Sequence, residues 1–243
     1  MKFKEITVGE KEMNEDEIFE ERQFRVFVFG LPRSGTSMMT RVCDLLGVKM
    51  VYTSEEKKKI RDAKYKKLFG AYHPNPEGFY EITDNPAENY LKILSEPYTG
   101  CKLIIPVNGL QLSLLTLVPS RVIFMKRPID EIRESQEAFY NADPPSKEAI
   151  RTLWAQQTIR LRRMQIPFVN VNYRDVVNNP EKEIYRVAAF INAPEPMDAA
   201  ISSIDPMLTR FKVEELRKAE IAKQREKELK EAEDGEVKDG NGD

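Results

Sequence analysis

The stretch GLPRSGTS, residues 30–37, sets two glycines, an arginine and three hydroxyls between an apolar run and a segment whose apolar residues recur at helical spacing. The run at 24–29 reads as a buried strand, and Met38, Met39, Val42, Cys43, Leu45 and Leu46 as one face of a helix. Backbone N–H groups of a loop feeding a helix N-terminus converge on an anion, and the helix dipole favours negative charge there. Gly30 and Gly35 permit the turn, Arg33 brings a fixed positive charge, and Ser34, Thr36 and Ser37 bring hydroxyl donors. These residue types suit a phosphate or a sulfate. The nucleotide-hydrolase pattern GxxxxGK[ST] would place a lysine at position 36; this chain has Thr36 there and Arg33 inside the loop. Taken alone, such a strand-loop-helix can also be a plain connection.

A second group of candidates lies in SRVIFMKRPIDEIRESQEAF. A hydrophobic strand at 122–125 ends in Lys126 and Arg127 before a helix that begins near 128–130. Arg127 therefore stands at the carboxyl end of a strand, where open α/β sheets bind ligands, and Ser135, a turn or two into the next helix, could offer its hydroxyl to the same anion. A phosphoryl-transfer enzyme often carries a metal-binding aspartate at the corresponding place, whereas this chain carries cations. Either residue alone would read as a surface arginine or an ordinary helical serine.

The elements that must position these residues follow from the pattern along the chain. Besides the runs at 24–29 and 122–125, CKLIIPV and IPFVNVNYRD are short β-branched strands bounded by turn residues, so at least four strands alternate with helical segments. A helix is expected at about 146–164 and another at 181–191, the latter entered through NNP with proline near its first position. The fold class is α/β: a P-loop-type parallel sheet flanked by helices, with a charged C-terminal helical tail. The expected organisation is a polar arm at 1–22, one α/β domain at 23–211 and a charged helical or disordered tail at 212–243. The lysine-rich segment before residue 72 reads as a solvated helix, and YHPNPEGFYE as an irregular loop.

With 243 residues, 41% of them hydrophobic, the chain can bury a sizeable core. A net charge of -2 gives no general affinity for nucleic acid or anionic membrane, so neither is an expected partner. The absence of a long apolar segment and of a signal-like start leads us to expect a cytoplasmic protein. Cys43 and Cys101 both sit in apolar segments and read as buried free thiols, and no metal site is expected.

In this order the two motifs resemble the sulfotransferase family, the bacterial type in particular, which uses 3'-phosphoadenosine 5'-phosphosulfate as donor. LPRSGTS is similar to the family's 5'-phosphosulfate loop, and RVIFMKRPIDEIRESQEAF to its 3'-phosphate segment, with Arg127 and Ser135 at the family's spacing. NPEGFYE, CKLIIP and VNVNYRDVVNNPEKEIYRVAAFI extend the resemblance over about residues 24–191, apart from 52–73. It implies that the loop residues Arg33, Ser34, Gly35, Thr36 and Ser37 hold the 5'-phosphosulfate and that Arg127 and Ser135 hold the 3'-phosphate. The implied reaction is in-line transfer of a sulfuryl group to a hydroxyl or amine of a small-molecule, carbohydrate or peptide acceptor. A sulfuryl group in transfer carries less negative charge than a terminal phosphoryl group, so arginine, lysine and oriented N–H groups can stabilise it without Mg2+.

An acceptor needs a general base. Glu81 is the candidate by similarity to bacterial members, with His73, the only histidine, as the other. Lys102 follows a short apolar stretch and could contact the bridging oxygen or the leaving phosphate. Two other readings compete: a P-loop small-molecule kinase, whose metal ligand would be Asp175, and a non-catalytic binding protein that keeps the donor cleft.

Overall fold

The computed structural model describes residues 23–51, 86–140, 143–194 and 196–204. The polar arm, the lysine-rich segment, Glu81, His73 and the charged tail lie outside the described residues.

The described strands are β1 (Arg25–Gly30), β2 (Lys49–Met50), β3 (Thr99–Ile104), β4 (Ser120–Lys126) and β5 (Phe168–Asn172). They form one sheet in the order β2-β3-β1-β4-β5, with every pairing parallel. Parallel neighbours need crossover connections, and these carry α1 (Thr36–Leu45), α2 (Pro86–Ser95), α3 (Gly109–Leu117), α4 (Ile129–Tyr140) and α5 (Lys147–Arg163). After β5 come α6 (Tyr173–Asn178), α7 (Pro180–Ile191) and α8 (Asp198–Ser202). None of the described helices is long and apolar enough to cross a membrane.

The period of two along each strand divides the core. Val26, Val28, Ile123, Met125 and Val171 face one side, where α1, α6, α7 and α8 cover them. Phe27, Phe29, Leu103, Val122 and Phe124 face the other, covered from α2, α3, α4 and α5. Burial on both faces is why the strands read as continuous apolar runs. The two thiols are split between these layers: Cys43 packs in the first and Cys101 in the second, both fully buried, so they cannot pair.

Two arginines in strands tie helix ends to the sheet. Arg25 is buried, and its guanidinium donates to the carbonyls of Ile93 (2.8 Å) and Leu94 (2.6 Å) at the end of α2. Arg121 donates to the Phe190 carbonyl (2.5 Å) and to Asn192 Oδ1 (2.9 Å) at the end of α7. Last-turn carbonyls lack partners within their own helix, so these contacts satisfy groups that would otherwise need water.

Chain direction fixes where the sheet can bind. From β1 the chain leaves towards β2 on one side, and from β4 towards β5 on the other. The connections part between the carboxyl ends of β1 and β4, which opens a crevice there. The GLPRSGTS loop and Lys126-Arg127 are the segments that leave those two ends.

Candidate functional site

The loop between β1 and α1 is held by its own hydrogen bonds. Ser34 donates to the Leu31 carbonyl from its N–H (3.1 Å) and from its hydroxyl (2.8 Å). Its side chain is buried, and this hydroxyl helps to shape the loop. Gly30 has no room for a side chain: a Cβ there would stand 2.3 Å from Ser34 Oγ. At Gly35 the backbone takes φ 93°, and a Cβ would meet the Tyr173 ring at 2.5 Å.

Arg33 also has positive φ, at 73°. An L residue with a long side chain is disfavoured in that region, and such strain persists where the surroundings hold it in place. Here they do. Its Nε donates to Ser135 Oγ on α4 at 3.0 Å, and its carbonyl accepts from Arg127 Nη1 at 3.2 Å. Gln136, beside Ser135, donates to the Pro32 carbonyl at 2.9 Å. Arg33, Arg127 and Ser135, widely separated in sequence, thus form one buried cluster at the crevice.

The start of α1 faces this cluster without a side-chain cap or an acidic residue in its first turn. Its first N–H groups therefore keep their partial positive charge for an anion. Lys102, on β3 beside β1, is buried and donates from Nζ to Ser37 Oγ at 3.3 Å. An ammonium carried on the neighbouring strand thus stands beside the start of α1. Thr36 is buried and Ser37 half-buried.

Four further residues complete the surroundings. Tyr173 opens α6 and lies against Gly35, with the Arg127 guanidinium 4.5 Å from its ring centroid. Burial raises the phenol's pKa; Arg127 and Arg33 pull it back, and Glu131 pushes it up. Arg127 Nε also donates to Glu131 Oε2 at 2.7 Å, and the other oxygen of Glu131 accepts from Arg174. With Gln136, these residues were not singled out from sequence. The usable signal was placement: Tyr173 and Arg174 follow directly on a strand's carboxyl end, as Arg127 does. Lys126, next to Arg127, has its pKa lowered by burial and by the charge of Arg162.

Of the residues expected to act, Arg33 bonds to Arg127 and Ser135, Gly35 and Arg127 both lie against Tyr173, and Lys102 bonds to Ser37, which follows Thr36 in the first turn of α1. Glu81 and His73 lie outside the described residues. Asp175 is exposed on α6. Among the described residues, no group of three or more His, Cys, Asp or Glu side chains comes together.

No protein-family profile matches the chain, and no curated protein matches its sequence. Among solved structures, similar folds include a mouse sulfotransferase complexed with PAP, at 13% identity over 79% of this chain and 66% of that one, with a TM-score of 0.49. This chain spans just under two thirds of the mouse protein's length. The sulfotransferase domain from the Synechococcus PCC 7002 olefin synthase is 14% identical over 76% of this chain and 85% of its own, with a TM-score of 0.43. A shikimate kinase from Bacteroides thetaiotaomicron is 11% identical over 70% of this chain and 98% of its own, with a TM-score of 0.38. At these identities and TM-scores the likenesses carry no chemistry over to this chain.

Proposed function

We propose that the crevice binds 3'-phosphoadenosine 5'-phosphosulfate and passes its sulfuryl group to a hydroxyl or amine of a small-molecule, carbohydrate or peptide acceptor. One observation carries this reading. Arg127 and Ser135 both bond to Arg33, so the phosphosulfate loop and a second cationic seat are built as one unit. A second seat is what a donor with a separate 3'-phosphate needs, and a donor without that group would leave it unused.

In this reading the N-terminus of α1, with Arg33, Thr36, Ser37 and Lys102, takes the 5'-phosphosulfate, and Arg127 and Ser135 take the 3'-phosphate. The acceptor oxygen or nitrogen attacks sulfur in line as the bond from sulfur to the bridging oxygen breaks. Charge develops on that oxygen, and fixed cations and oriented N–H groups placed beforehand stabilise it best. Lys102 and Arg33 are the cations so placed. The acceptor's proton passes to a general base, a role we assign to Glu81, and adenosine 3',5'-bisphosphate is the leaving product.

Calorimetric titration with adenosine 3',5'-bisphosphate and with 5'-AMP tests the donor assignment. The bisphosphate should bind more tightly, and Arg127→Ala should lose about 1.5–3 kcal/mol, mostly of that preference. Equal affinity of the native protein for both nucleotides would refute the reading.

A further inference from the structure

Two arginines close on one carboxylate beside the crevice. Glu131, in the first turn of α4, accepts from Arg127 Nε through Oε2 at 2.7 Å and from Arg174 Nε through Oε1. The three side chains differ in freedom. Arg127 is 4% exposed, Glu131 15% and Arg174 60%. Arg127 is held further by the Arg33 carbonyl and by the Tyr173 ring beneath it. Among the described residues, the Arg174 guanidinium has Glu131 as its partner. The cluster therefore has a fixed cation, a nearly fixed carboxylate and a cation that can swing.

A carboxylate between two guanidinium groups satisfies them much as phosphate oxygens do. Resting on the donor reading above, we infer that Glu131 is the specificity-determining counter-charge of the 3'-phosphate seat. It holds Arg127 and Arg174 when no nucleotide is bound, and the incoming 3'-phosphate draws Arg174 away from it. Affinity for the bisphosphate is then set by an exchange of anions, and Glu131 keeps that affinity low enough for the product to leave.

Glu131→Gln separates the charge from the positioning. The amide oxygen still accepts from Arg127 Nε, so Arg127 stays aimed. The charge is gone, and the amide nitrogen cannot accept from Arg174. A phosphate carrying about -1.5 to -2 then meets a released arginine and no opposing carboxylate, which is worth about tenfold in binding. A nucleotide without a 3'-phosphate should gain little.

The experiment is calorimetric titration of the full chain, native, Glu131→Gln and Arg174→Ala, with adenosine 3',5'-bisphosphate and 5'-AMP at one ionic strength, with circular dichroism confirming the fold of each variant. Glu131→Gln should bind the bisphosphate about tenfold more tightly and 5'-AMP within about twofold of native. Arg174→Ala alters an exposed side chain, so it tests the inference even if Glu131→Gln does not fold; it should weaken the bisphosphate severalfold and leave 5'-AMP unchanged. A Glu131→Gln protein that binds the bisphosphate no more tightly than native, or an Arg174→Ala protein with native affinity, overturns the inference. If the native protein still prefers the bisphosphate, the donor reading survives that result; if the native preference is itself missing, both fall.

Discussion

Substitution of Arg33 can separate backbone strain from ligand chemistry, because the residue contributes both. Its φ of 73° costs an L residue about 1–2 kcal/mol relative to a right-handed conformation. Arg33→Gly relieves that cost in the folded state, but it loosens the unfolded chain by about 0.4–1 kcal/mol compared with alanine. Arg33→Ala keeps the strain. Both variants lose the bond to Ser135, worth about 0.5–1.5 kcal/mol net. The glycine variant should therefore be more stable than the alanine variant by about 0.5–1 kcal/mol and close to native. Both lose the same guanidinium, so both should lose affinity for adenosine 3',5'-bisphosphate by a similar factor, about tenfold or more. Urea denaturation gives the first comparison and calorimetry the second. If the two variants are equally unstable, the backbone at this position is not strained; if the glycine variant binds like native, the guanidinium does not contact the nucleotide.

Gly35→Ala puts a Cβ 2.5 Å from the Tyr173 ring at a backbone angle that favours glycine, so it should destabilise the fold by more than about 1 kcal/mol and weaken nucleotide binding, read by thermal melts with and without nucleotide. Arg25→Met leaves the carbonyls at the end of α2 without their charged donor and should cost about 1.5–3 kcal/mol in urea denaturation; an unchanged midpoint would mean that water replaces the guanidinium there. Glu81→Gln, assayed at donor saturation once an acceptor is known, should keep donor binding and lower turnover by about 10²–10⁴ fold, with His73→Ala much closer to native; the reverse pattern would make His73 the base.

The strands and the loop were legible because their signals are local. Four of the five described strands stand where apolar runs end at turn residues. Ser146 caps α5 by accepting from Ala149 N–H, and Pro180 opens α7 as its N1 preference predicts. α3 was missed although its signature is present: Asn108 and Gln111 form a capping box, each side chain accepting from the other's backbone N–H. Its apolar sequence hid the helical period, since a helix apolar nearly all round shows no polar face. The site divides in the same way. Spacing picked out Arg33, Arg127 and Ser135, whereas the aim of Lys102 at Ser37 depends on the parallel register of β3 on β1, which no local pattern contains. Arg25 reads as a surface residue by type, and only the arrival of α2 gives it buried acceptors. The Glu131–Arg174 contact joins residues 43 apart across β4 and β5, and its meaning comes from Arg127 between them in the fold.

The placement of the two thiols on opposite faces of the sheet has a consequence for following motion in solution. Burial pushes both Cys43 and Cys101 well above the usual thiol range, with the charge of Asp44 adding to the effect at Cys43. A thiolate-seeking reagent therefore reaches each sulfur only when its own layer parts from the sheet. Labelling kinetics, resolved by peptide mass, would clock each layer separately without any engineered probe: equal rates for the two mark a sheet that sheds both coats of helices in one step, and a faster Cys43 marks loosening that starts on the side of α1 and the glycine-containing loop that precedes it.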